Sequence, residues 1–199
     1  MPVFGGQQKL YMIDRVLKVD VNENGGQITV FEPEKGEESG EKLFSFENRE
    51  EVFCGHKIWD IEAVFAKIRE GLEKALERYP DVSEIRLCAW KYDYVLMCGD
   101  TELLPCYSHR DERVAELYDF DHGVSGHEGT VVQLMVDLRH GRLQTVTDIL
   151  MMPEYFAYKL TGDKGKNFEK KPMRGRLKAG VIKGFDKPLD VVIDKIWSN

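Results

Sequence analysis

Residues 59–113 read WDIEAVFAKIREGLEKALERYPDVSEIRLCAWKYDYVLMCGDTELLPCYSHRDER. Ile61, Val64, Phe65, Ile68, Leu72, Ala75 and Leu76 recur at helical spacing, which predicts an amphipathic helix from Asp60 to Pro80. Asp60 can cap its first turn by accepting an orphan backbone N–H, and Pro80 stops it. Glu62, Arg69, Glu70, Glu73, Lys74, Glu77 and Arg78 form the opposite face, with Glu70 and Lys74 in the favourable order for an i,i+4 ion pair. Each buried apolar side chain contributes about 1.5–3 kcal/mol, so the apolar face must rest on another element. Ile85–Trp90 and Tyr92–Met97 supply a candidate buried strand pair, with a turn at Gly99-Asp100. A helix feeding a buried strand predicts a mixed sheet with helices packed on it.

Upstream, Leu10–Val21 reads as a strand and Asn22-Glu23-Asn24-Gly25-Gly26 as a turn. Gln27–Phe31 is the returning strand, Glu32–Glu41 an exposed loop, and Leu43–Phe46 a third strand. The expectation is an antiparallel N-terminal meander, joined to the helix by Asn48–His56. Downstream, Val114–Tyr118 reads as a short helix and residues 119–129 as a polar loop. Thr130–Leu138 is a helix with Val131, Leu134, Met135 and Leu138 in core or interface. Leu143–Leu160 reads as another helix, interrupted at Pro153 and ended by Gly162. Residues 163–187 carry nine lysines and arginines against three acids and read as a basic linker, followed by a strand over Leu189–Trp197.

The chain has 199 residues, 42% hydrophobic and 32% charged, with a net charge of −7. That supports one ordinary core, divided as residues 1–162 with residues 163–199 completing the same domain. The negative charge argues against a nucleic-acid binder. No apolar run approaches the ~18 residues that cross a bilayer. Four cysteines without C-x-x-C spacing fit reduced thiols and a cytoplasmic location.

Five blocks carry a resemblance: Phe46–Arg49; Gly55–Ile61; Cys88–Leu96; Arg110–Arg113; and Leu150–Gly162. In this order they resemble the N-terminal lobe of FGGY-family carbohydrate kinases, closest to the rhamnulokinase branch. The resemblance implies an α/β, ribonuclease-H-like (actin-like ATPase) lobe: a mixed sheet with an antiparallel N-terminal meander, flanked by helices. It also implies a sugar cleft lined by Lys91, Tyr92, His109 and Asp111. Lys91 stands where the rhamnulokinase pattern has glycine and the glycerol-kinase branch arginine.

Departures fall at the chemistry. The family opens with a hairpin holding an Asp, a small-residue loop and an Arg that face the ATP phosphates. Here Arg15 follows Asp14 directly, which reads as loss of that loop. Positioning and charge neutralisation are most of phosphoryl-transfer catalysis, so its loss predicts inactivity. The family's general-base Asp has no clear counterpart, and Asp194 is the nearest carboxylate. The expectation is a degenerate lobe with no resident cofactor, binding a small sugar or polyol, or pairing as a homodimer or with a partner protein. Its first alternative is an active ATP- and Mg2+-dependent sugar kinase with a separate second lobe. Its second is a metal enzyme using the His122/His127 loop, whose Asp119, Asp121 and Glu128 add ligand types suited to zinc or manganese.

Overall fold

A computed structural model describes residues 14–117, 129–164, 174–179 and 191–197. In chain order the strands are β1 (Arg15–Asn22), β2 (Gly25–Phe31), β3 (Glu41–Glu47), β4 (Glu51–Phe53) and β5 (His56–Trp59). Helix α1 (Ile61–Arg78) follows, then β6 (Val82–Ala89), β7 (Tyr94–Cys98), β8 (Thr101–Glu102) and β9 (Cys106–Tyr107). Then come α2 (Thr130–Arg139), β10 (Asp148–Met151), α3 (Met152–Thr161), β11 (Arg174–Ala179) and β12 (Val191–Trp197).

The main sheet has six strands in the order β11-β12-β6-β1-β2-β3. β1, β2 and β3 form the expected antiparallel meander, with Asn22 opposite Gly25 at its first turn. β6 runs parallel to both β1 and β12, which makes the sheet mixed. The residues before α1 give two strands rather than a link: β4 and β5 pair as a hairpin, and β5 continues the pairing to β9. The predicted pair over 85–97 also divides. β6 joins the main sheet, whereas β7 pairs with β8 and β10 in a separate three-stranded sheet.

α1 forms as its sequence requires. Asp60 accepts the backbone N–H of Ala63 at 2.9 Å, and Lys74 donates to Glu70 at 2.7 Å. Ile61, Val64, Ile68, Leu72 and Ala75 are buried against the strand face carrying Leu17, Val19, Val21, Ile28 and Val30. Gly71 brings the helix close: a Cβ there would lie 2.5 Å from Phe44 Cδ1 and 2.6 Å from Ile28 Cδ1. α3 adds buried Met152, Tyr155, Phe156 and Leu160 to the same core. Glu154 accepts the Met151 N–H at 3.0 Å at its start, and Gly162 closes it in the left-handed conformation at φ 74°.

Two downstream expectations are corrected. The first part of Leu143–Leu160 is not helical, because residues 148–151 find backbone partners in β7 as β10. Of the α2 residues expected in core or interface, Leu134 is half-buried. Val131, Met135 and Leu138 are exposed, whereas Val132, Gln133, Val136 and Asp137 are buried. The basic segment also contains a strand, β11, paired with β12. No helix among the described residues is long and apolar enough to cross a membrane.

Candidate functional site

The parallel strands β1 and β6 end together, and their carboxyl edge is where ligands bind in open α/β sheets. The β1–β2 turn, Trp90–Tyr92 and the Ser108–Arg113 segment meet near this edge. The centre is Asp93, fully buried. Its carboxylate accepts the indole N–H groups of Trp59 at 2.6 Å and Trp90 at 2.8 Å, and the His109 backbone N–H at 2.6 Å. His109 Nδ1 lies 3.0 Å from the same carboxylate. A charge in this interior is tolerable because every side of the carboxylate meets a donor.

His109 is itself buried, and its Nε2 lies 3.5 Å from Glu23 of the β1–β2 turn. Arg110 binds the other oxygen of Glu23. Tyr92 covers the imidazole, with ring centroids 5.6 Å apart. Its backbone sits at φ 74°, a conformation uncommon for a bulky residue and concentrated at functional sites. The Tyr92 carbonyl accepts from Thr130 Oγ1 and Gln133 Nε2, both at 2.9 Å. Gln133 Oε1 is buried and has no hydrogen-bond partner among the described residues.

A second polar knot adjoins the first. Asp111 is buried and accepts the Lys57 and Arg113 backbone N–H groups at 2.6 and 3.0 Å, with His56 Nδ1 at 3.1 Å. Asp137 of α2, fully buried, accepts from Tyr94 Oη at 2.5 Å, from Arg142 at 2.8 Å and from Arg113. The guanidinium carbons of Arg113 and Arg142 lie 4.0 and 4.6 Å from the Tyr107 ring centroid. Burial, then the Asp137 charge, pushes the Tyr94 phenol well above its ordinary value. Tyr94 therefore stays a neutral donor.

Three of the four expected cleft residues stand as follows. Tyr92 is 41% exposed and His109 lies beneath it. Asp111 is 2% exposed, and both its oxygens accept hydrogen bonds from within the protein. Lys91, the fourth, is half-buried beside Tyr92. Glu23, Asp93 and Gln133 are the members that sequence reading missed. A lone acid between Tyr92 and Tyr94 in an apolar strand is the signal that points to Asp93.

The reading of Asp14-Arg15 as the place of a lost loop is corrected, because no hairpin turns there. Arg15 starts β1, and the turn falls at Asn22–Gly25, with Asp20 on β1 opposite Gln27 on β2. Asn22 Oδ1 accepts the Asn24 and Gly25 backbone N–H groups at 2.8 and 3.1 Å. Asn48 Nδ2 ties the turn down by donating to the Asn22 carbonyl at 2.8 Å. Asp194 does not follow a strand. Its backbone lies inside β12, in register with Arg86 and Arg176. His122, His127, Asp119, Asp121 and Glu128 lie outside the described residues. Among the described residues no cluster of three or more His, Cys, Asp or Glu could hold a metal.

No family model matches the chain. Among curated proteins it is similar to the rhamnulokinase of Bacillus subtilis, 29% identical over 159 residues, covering 72% of this chain and 32% of that protein. The rhamnulokinase of Mannheimia succiniciproducens is 27% identical over 165 residues, covering 74% and 34%. The chain thus spans about a third of the length of the curated relatives it matches. Among solved structures, a gluconate kinase from Lactobacillus acidophilus superposes with a TM-score of 0.59 at 10% identity, covering 75% of this chain and 34% of that one. The chain is a relative of the rhamnulokinases in sequence, and its fold is that of an FGGY-type carbohydrate-kinase lobe.

Proposed function

We propose that this lobe does not transfer phosphate by itself and that its carboxyl edge, around Tyr92 and Lys91, binds a small sugar or polyol or meets a partner. The observation that carries this reading is the β1–β2 turn. By resemblance this hairpin should face the nucleotide phosphates, and a phosphate grip depends on unoccupied backbone N–H groups aimed at the anion. Here Asn22 occupies two of them, and Glu23 adds a carboxylate. Three of the neighbouring acids give no ready base either. Asp93, Asp111 and Asp137 are buried and each accepts several hydrogen bonds. A general base must have a lone pair within reach of substrate.

The exposed apolar residues Val131, Met135 and Leu138 on α2 support association with a second copy or another protein. The competing reading, an active ATP-dependent sugar kinase completed by a second lobe, is favoured by the rhamnulokinase likeness over about three quarters of the chain.

A coupled assay with Mg·ATP and a panel of ketoses decides between them. The expected result is no turnover above buffer, with weak saturable binding of a sugar or polyol that Tyr92→Ala reduces. Turnover that disappears in Asp194→Asn would overturn the proposal.

A further inference from the structure

The geometry points to an oxyanion site at His109 and Arg110 that the protein's own Glu23 carboxylate now fills. It rests on the carboxyl edge being the ligand face, and not on the absence of catalysis. Glu23 approaches Nε2 of His109 with one oxygen and Arg110 with the other, as a bound carboxylate or phosphate would. The imidazole is presented to it because Asp93 holds Nδ1, which fixes the ring. Glu23 stands on a short hairpin turn, whereas its two partners are carried by the Ser108–Arg113 segment. The carboxylate can therefore leave without unfolding the acceptor side.

Two further observations mark this place as a ligand site and not only an ion-pair knot. Tyr92, tilted against His109 with an interplanar angle of 56°, keeps a left-handed backbone. Gln133, held on the Tyr92 carbonyl and 1% exposed, has an acceptor oxygen without a partner among the described residues. A ligand oxyanion would replace the Glu23 carboxylate on His109 and Arg110, next to Tyr92, whose carbonyl Gln133 holds. The ligand class is a small phosphate or carboxylate.

Inorganic phosphate and malonate, titrated separately by calorimetry into the full chain, test this. Glu23→Gln removes the charge that fills the site, leaving Glu50 4.0 Å from Arg110, and should tighten binding of at least one anion tenfold or more over wild type. Adding Arg110→Gln to it should return binding to the wild-type level or below. Tightening for phosphate alone identifies a phosphorylated ligand, and for malonate alone a carboxylated one. If Glu23→Gln does not fold, wild type serves: phosphate should shift the His109 imidazole NMR resonances, and Arg110→Gln should abolish the shift. Anion binding unchanged by Glu23→Gln, or His109 resonances that ignore both anions, would overturn the inference. Neither outcome depends on whether sugars or ATP bind.

Discussion

The indole nitrogen of Trp59 donates to the Asp93 carboxylate at 2.6 Å in a fully buried setting. This bond ties the end of β5, where α1 begins, to the connection between β6 and β7. It joins the main sheet to the smaller ones through one charge. Trp90 makes the matching bond from the other side, and the two indoles pack with centroids 4.9 Å apart.

Asp93→Asn should therefore destabilise the fold. The amide brings an N–H2 into a pocket lined with donors and removes a charge that accepts several hydrogen bonds. Each hydrogen bond to a charged group is worth about 1.5–3 kcal/mol, so the expected loss is about 3 kcal/mol or more. Urea unfolding followed by tryptophan fluorescence measures it directly. A loss below about 1 kcal/mol would show that Asp93 is not the hub described.

α2 offers a reversed test. Its exposed apolar residues should tolerate polar replacement, with Val131→Ser and Leu138→Gln changing stability by less than about 0.5 kcal/mol. Its buried acid should not. Asp137→Ala strands Arg113 and Arg142 beside Tyr107 and should cost about 3–5 kcal/mol. Thermal or urea denaturation of the three variants distinguishes this from an ordinary apolar-inward helix, for which the order would invert.

Acid sensitivity should arise on the other face of the main sheet. Burial alone would raise the Glu37 carboxyl, but hydrogen bonds from Lys18 and Arg86 outweigh it and hold the group below its ordinary 4.5. A carboxylate depressed in the folded state stabilises fully above its unfolded value. That contribution disappears as the pH falls through the lower folded value. Stability should thus fall as the pH drops below 4.5, and less steeply in Glu37→Gln. Glu37 is partly exposed, so the effect is modest and fades in high salt. Equal slopes in both proteins would remove Glu37 from the account.

What was legible in the sequence was local. α1 announces itself by its cap, its periodicity and Pro80, and the meander by Asn22–Gly26. What was not legible depended on distant partners. β4 and β5 are three and four residues long, too short to show a period, and exist because β5 finds β9. Residues 148–151 have a composition compatible with helix, and β7 decides for strand. The spacing of α2 was right, but Asp137 found two arginines and a tyrosine, and that outweighed burial of Val131 and Leu138. In the site, Tyr92 and His109 lie against each other, with ring centroids 5.6 Å apart, and their contact with a sugar belongs to the proposal. Asp111 resembles a ligand until Lys57, Arg113 and His56 are seen to fill it. Glu23 is unremarkable in a turn and gains meaning only from residues far along the chain.

The central claim is that a turn whose Asn24 and Gly25 N–H groups are taken by the Asn22 side chain cannot grip a nucleotide. Isothermal titration of the full chain with Mg·ATP and with Mg·ADP tests it most directly. The account predicts no saturable heat for either nucleotide at millimolar concentrations. Saturable binding of either in the micromolar range, weakened by replacing Asn22 with alanine, would contradict it.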